Sequence, residues 1–194
     1  MSRAYQIPVK ASVSETIVGK DSISTQLDIL GILPPERMGK LLLDSLTARG
    51  FTEDPCGTSV SKDVDGVIVR VDGGGVVTAE VSLQKEVTVD ADASVRWDTD
   101  YDTKSHEERR ESEIQKAQEK VKDMVKNKLA DKKDELTADA TKQLEKALVN
   151  VRNDLDASIL ETTKNALIEK AKSMGEIVEQ SEDKNGDLII RVKV

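Results

Sequence analysis

EIQKAQEKVKDMVKNKLADKKDELTADATKQLEKALVNVRNDL, residues 113–155, is the stretch that decides the fold. Ile114, Ala117, Val121, Val125, Leu129, Leu136, Ala140, Leu144, Leu148, Val151 and Leu155 recur at threes, fours and sevens, the period of one helix face. Neither Gly nor Pro occurs from Tyr101 to Met174, a run of 74 residues. The apolar seam is about one residue wide per turn, narrower than a globular helix shows and close to a coiled-coil stripe. The segment therefore reads as a long helical arm that pairs with itself or with a partner helix. As one helix it would span about 110 Å at roughly 1.5 Å per residue. Two breaks are open. The seam slips phase between Leu155 and Leu160, where Ser158 and Glu161 form a capping-box pattern. A turn near 131–137 would instead give two arms of similar length. Ser105 with Glu108 is a capping box at the arm's start.

Before the arm, residues 1–100 read as α+β. Tyr5, Ile7, Val9, Ala11 and Val13 alternate with mostly polar neighbours, and Pro8 places that strand at a sheet edge. A second strand is expected across 22–30. Pro34 and Pro35 open a helix in which Met38, Leu42 and Leu46 recur every fourth residue, and Gly50 stops it. Asp65-Gly66 and Gly73-Gly74-Gly75 each separate β-branched segments and read as hairpin turns. The triple glycine lacks the Lys-Ser/Thr of a phosphate loop and leads into a strand.

After Gly175 the chain returns to strand chemistry. Asn185-Gly186 is a hairpin turn, and Leu188, Ile190, Val192 and Val194 line one face. A lone hairpin is marginal in water, so it is expected to join the N-terminal sheet or to pair with another chain. Three divisions follow: 1–100 a mostly antiparallel sheet domain with one packed helix, 101–174 the helical arm, and 175–194 a hairpin completing the sheet. Around Gly50 and Gly175 the order of helix, glycine, strand, Asx-Gly turn and apolar strand recurs, with Arg70 and Arg191 in matching places. Duplication and coincidence explain this echo equally well.

Composition narrows the function. Aromatic residues supply 2% of the chain, which argues against one large globular core and for helices packed through Ala, Leu, Val and Ile. The net charge is −8, and the segment 104–174 is close to neutral, so the remainder is acidic and repels nucleic acid. Cys56 is the only cysteine, which excludes an internal disulfide framework and suits a reducing, cytoplasmic setting. The polar N-terminus lacks a signal-peptide core, and no apolar run approaches membrane-spanning length.

Little in the chain carries chemistry. His106, the only histidine, has no second histidine or nucleophile to complete a catalytic set. Cys56 lies among acids that disfavour a thiolate. Asp98, Asp100 and Asp102, in WDTDYD, are the candidate metal ligands, since they match positions one, three and five of a calcium loop. Position six is Thr103 instead of Gly, and position twelve is Arg109 instead of Glu. Strand alternation explains the spacing better, with Trp97 and Tyr101 on one face. The sequence therefore points to no metal, no cofactor and no catalysis.

GILPPERMGKLLLDSLTARGF, residues 31–51, and KSMGEIVEQSEDKNGDLIIRVKV, residues 172–194, resemble small bacterial proteins that accompany FtsH-like AAA+ ATPases in ternary systems. A related group in cyanobacteria and plastids ends similarly. Here Glu176 stands where that group tends to carry an aromatic, and the final strand has no closing Trp. The resemblance implies an accessory role beside an ATPase and assigns no site residues. Residues and resemblance together lead to a non-enzymatic, protein-binding adaptor. A structural coiled-coil protein that assembles into particles or filaments is the alternative.

Overall fold

The structure, a computed structural model, describes residues 4–98, 103–182 and 188–193, and side chains at 6–95, 110–181 and 188–193. The described elements run β1 (Ala4–Gln26), α1 (Pro35–Ala48), β2 (Thr52–Glu53), β3 (Ser59–Val64), β4 (Val67–Asp72), β5 (Val76–Asp98), α2 (Thr103–Met174), β6 (Glu176–Glu182) and β7 (Leu188–Lys193). This is the expected α+β class: an antiparallel five-stranded sheet, one short helix, one long helix and a C-terminal hairpin.

The sheet order is β1-β5-β4-β3-β2. Partners of β1 fall from Thr88 at Ser14 to Gly75 at Leu27, the mark of antiparallel pairing with β5. Pro8 thus lies on an edge strand, as its missing N–H requires. Separate strands at 5–13 and 22–30 are not found: β1 is continuous through Gln26. Asp65 and Gly66 both have positive φ, 55° and 81°, the backbone of a type I′ turn joining β3 to β4. Gly75, at φ 84°, turns β4 into β5.

α2 is unbroken from Thr103 to Met174, so neither expected interruption occurs. The seam slips only if apolar residues alone are counted. Its buried positions continue from Val151 and Leu155 through Ser158, Thr162 and Ala166. Val125, Leu136, Ala147 and Ser158 repeat every eleventh residue, and so do Leu144, Leu155 and Ala166. Eleven residues make three turns with about 20° left over, so this face stays nearly straight along the helix. Ala147, rather than the half-buried Leu148, holds the seam at that level.

Two compact units divide the chain: 1–19 with 82–140, and 20–81 with 141–194. Each mixes sheet and helix, whereas the sequence reading divides strands from arm. In the first, Ala91, Val121 and Val125 form a cluster with Val9, Ala11, Ala93, Met124 and Leu129. Gly19 there meets the backbone of Leu136: a Cβ would fall 2.8 Å from its carbonyl carbon and oxygen. Such small side chains and short approaches dispense with aromatics. In the second unit, Val67, Val69 and Val71 alternate inward along β4 and are buried together with Leu42, Leu46, Phe51 and Val60, the last paired with Val71 from β3. The seam expected to seek another helix is therefore covered from within the chain.

The hairpin also differs from expectation. β6 and β7 form a two-stranded sheet of their own rather than extending the five-stranded one. One glycine separates β6 from α2, and pairing with the segment just beyond closes a short loop at little entropic cost. Arg191 bonds Glu179 across this hairpin at 2.7 Å.

Candidate protein-interaction surface

Of the residues singled out for chemistry, most lie wholly, or in their side chains, outside the described residues. Asp98 ends β5, while Asp100 and Asp102 lie outside the described residues. His106 is in the first turns of α2, and its side chain, like that of Trp97, is outside those described. Cys56 is exposed in the loop after β2. Among the described residues no three His, Cys, Asp or Glu side chains cluster as metal ligands would.

What α2 positions instead is a docking face for α1. Arg37 Nε donates to Glu169 at 2.8 and 3.0 Å, and the Arg49 guanidinium donates to Glu161 at 2.8 Å. Partner numbers on α2 fall as those on α1 rise, so the two helices run antiparallel. Between the pairs, the buried Ser45 hydroxyl donates to Glu161 at 3.1 Å and lies 3.5 Å from the Ser158 carbonyl oxygen. Arg49 Nε donates to the Ser158 hydroxyl at 3.1 Å. Below α1, Lys62 donates to Asp154 at 2.8 Å, with its ammonium 5.3 Å from the Phe51 ring centre. Ser158 and Glu161, which mimic a capping box in the sequence, therefore bind a neighbouring helix. The hydrogen bond to Arg37 holds the Glu169 carboxyl below the ordinary carboxylate range, and Glu169 raises Arg37 in return.

On its opposite side the same part of α2 is apolar and open. Leu160 stands two residues from both Ser158 and Thr162, about 200° around the helix from each. Leu160, Leu167 and Met174 follow at sevens, with exposures of 56%, 41% and 60%. Val149 precedes them, 70% exposed. The stripe continues a sequence signal that was visible and unused: Leu160 falls out of phase with the seam because it belongs to a second face.

The hairpin adds Val178, 66% exposed, and Ile189, 45% exposed. Ile177 pairs with Val192 and Glu179 with Arg191, which leaves Val178 as the extra residue of a β-bulge. Bulges of this kind re-aim a side chain, here into the open. The other face, with Leu188, Ile190 and Val192, is half-buried.

A family model described as FtsH ternary system domain X5 matches residues 1–194, the whole chain. No curated protein and no solved structure matches it.

Proposed function

We propose that this chain, which belongs to the FtsH ternary system domain X5 family, is a non-enzymatic protein-binding module that docks onto a protein component of an AAA+ ATPase system. One observation supports the reading beyond the family: the C-terminal hairpin presents Val178 and Ile189 to solvent from a sheet whose only described ladder joins its own two strands. Unpaired strand edges and exposed aliphatic side chains are the two features that strand-adding partners use, main-chain bonds giving affinity and pockets giving specificity. The module acts in the cytoplasm and needs no metal or cofactor, since its work is to present this surface. No helix of the described chain is long and apolar enough to cross a membrane.

The test is titration calorimetry of the full chain against the purified AAA+ ATPase of the same system, beside the Val178→Asp and Ile189→Asp variants. Binding by the parent, weakened at least tenfold by either aspartate, is expected. Absence of binding, or equal binding by all three chains, contradicts the reading.

A further inference from the structure

The stripe on the outer face of α2 has a composition that selects its own partner. We infer that Leu160 and Leu167 dock against the same two residues of a second copy of this chain, with the two helices antiparallel. This surface is separate from the hairpin face assigned to the ATPase, and the inference does not depend on that assignment.

Charge decides both occupant and direction. The stripe's apolar residues recur at sevens, the spacing at which one helix packs beside another. Flanking the two leucines on the same side, Asp156 lies four residues before Leu160 and Lys170 three after Leu167, while Lys164 between them is half-buried and engaged within the chain. Asp156 is exposed and makes only a loose 3.7 Å pair with Arg152, and Lys170 is exposed. A parallel pair would set Asp156 against Asp156 and Lys170 against Lys170, and like charges in register are destabilising. Antiparallel pairing about a two-fold axis near Thr163 brings Leu160 of each copy beside Leu167 of the other. It also brings Asp156 beside Lys170 at both ends. The segment is therefore self-complementary, as an isologous two-fold contact requires. An unrelated acidic or basic helix would satisfy one end and be repelled at the other. The contact is short, about 21 Å from Asp156 to Lys170 at roughly 1.5 Å per residue. Two helices touching over about four turns bury less than the roughly 800 Å² per partner of a standard interface, so association is expected to be weak, in the tens to hundreds of micromolar.

Sedimentation velocity of the full chain across about 10 µM to 1 mM reads the result. The parent should pass from monomer to dimer over that range. Leu160→Glu should remain monomeric, and Asp156→Lys alone or Lys170→Asp alone should weaken the dimer at least fivefold. The double exchange Asp156→Lys with Lys170→Asp should restore it. Circular dichroism melts identical to the parent's establish that these exposed substitutions leave the fold intact. A parent that stays monomeric at 1 mM overturns the inference and leaves the stripe to a different protein. Single reversals without effect overturn the antiparallel arrangement, since in a parallel pair like charges face each other before and after the change.

Discussion

Replacing Gly39 by alanine inverts the usual sign of a glycine-to-alanine change. Gly39 is an interior position of α1, where alanine normally stabilises a helix by about 1 kcal/mol. Here a Cβ would fall inside van der Waals contact of the Gly73 carbonyl oxygen, with the Gly73 Cα at 3.2 Å. The turn cannot easily retreat. Gly73 N–H donates to the Thr58 carbonyl at 3.0 Å, and Gly75 N–H and Val76 N–H both donate to Asp72, at 2.9 Å each. α1 must therefore lift, and overpacking of this kind costs about 1–3 kcal/mol. The clash is with backbone, which has no rotamer to yield, so the upper part of that range applies and the net loss is about 1–2 kcal/mol. Urea unfolding followed by circular dichroism measures it as a lower midpoint at unchanged slope. Gly31→Ala is the control, because nothing lies within 4 Å of its Cβ position. If Gly39→Ala raises the midpoint, the close approach of α1 to the β4–β5 turn is wrong.

Thr162 is fully buried and its hydroxyl has no hydrogen-bond partner among the described residues. Thr162→Val should therefore stabilise by about 1 kcal/mol in the same urea assay, and a loss would mean that the hydroxyl is satisfied. Arg49→Ala removes the cation from Glu161, which keeps only the Ser45 hydroxyl, and the donor from the Ser158 hydroxyl, and should cost about 1 kcal/mol, discounted for partial exposure; Glu161→Ala in that background should then cost less, a coupling that a double-mutant cycle reads directly. Because Glu169 titrates below its ordinary 4.5 when folded, its contribution is present above that pH and is lost as pH falls through the lower folded value. Glu169→Gln should thus be less stable than the parent at neutral pH and indistinguishable from it in strong acid. A difference that persists in acid would assign the effect to something other than the Arg37 pair.

Much of this architecture is legible in the residues, and the illegible parts have physical causes. Asp65-Gly66, the Gly73 to Gly75 turn, the Pro34-Pro35 helix start and the edge position of Pro8 are local chemistry, which needs no tertiary context to read. The course of α2 past Leu155 is not local. Ser158 and Thr162 are buried because α1 approaches there, and no apolar periodicity reports a seam built from hydroxyls and alanine. The same blindness hid the α1 docking face, since Arg37, Arg49, Glu161 and Glu169 look like ordinary solvated charges until two distant segments meet. The hairpin was legible as a hairpin, but not its separateness, because Leu188, Ile190 and Val192 would suit either a shared or a private sheet. WDTDYD offered carboxylates at a suggestive spacing that strand alternation explains better, while the open apolar stripe at Leu160, Leu167 and Met174 was present in the sequence as an apparent phase error.

The central claim is that α2 is one helix whose seam is covered within its own chain, rather than two arms folded back near residues 131–137. Spin labels on cysteines at the exposed Lys122 and Lys146, with Cys56→Ser to remove the native thiol, test it by pulsed dipolar spectroscopy. A continuous helix predicts a single distance centred near 36 Å, at roughly 1.5 Å per residue. A distance near the roughly 10 Å that separates packed helices would contradict it.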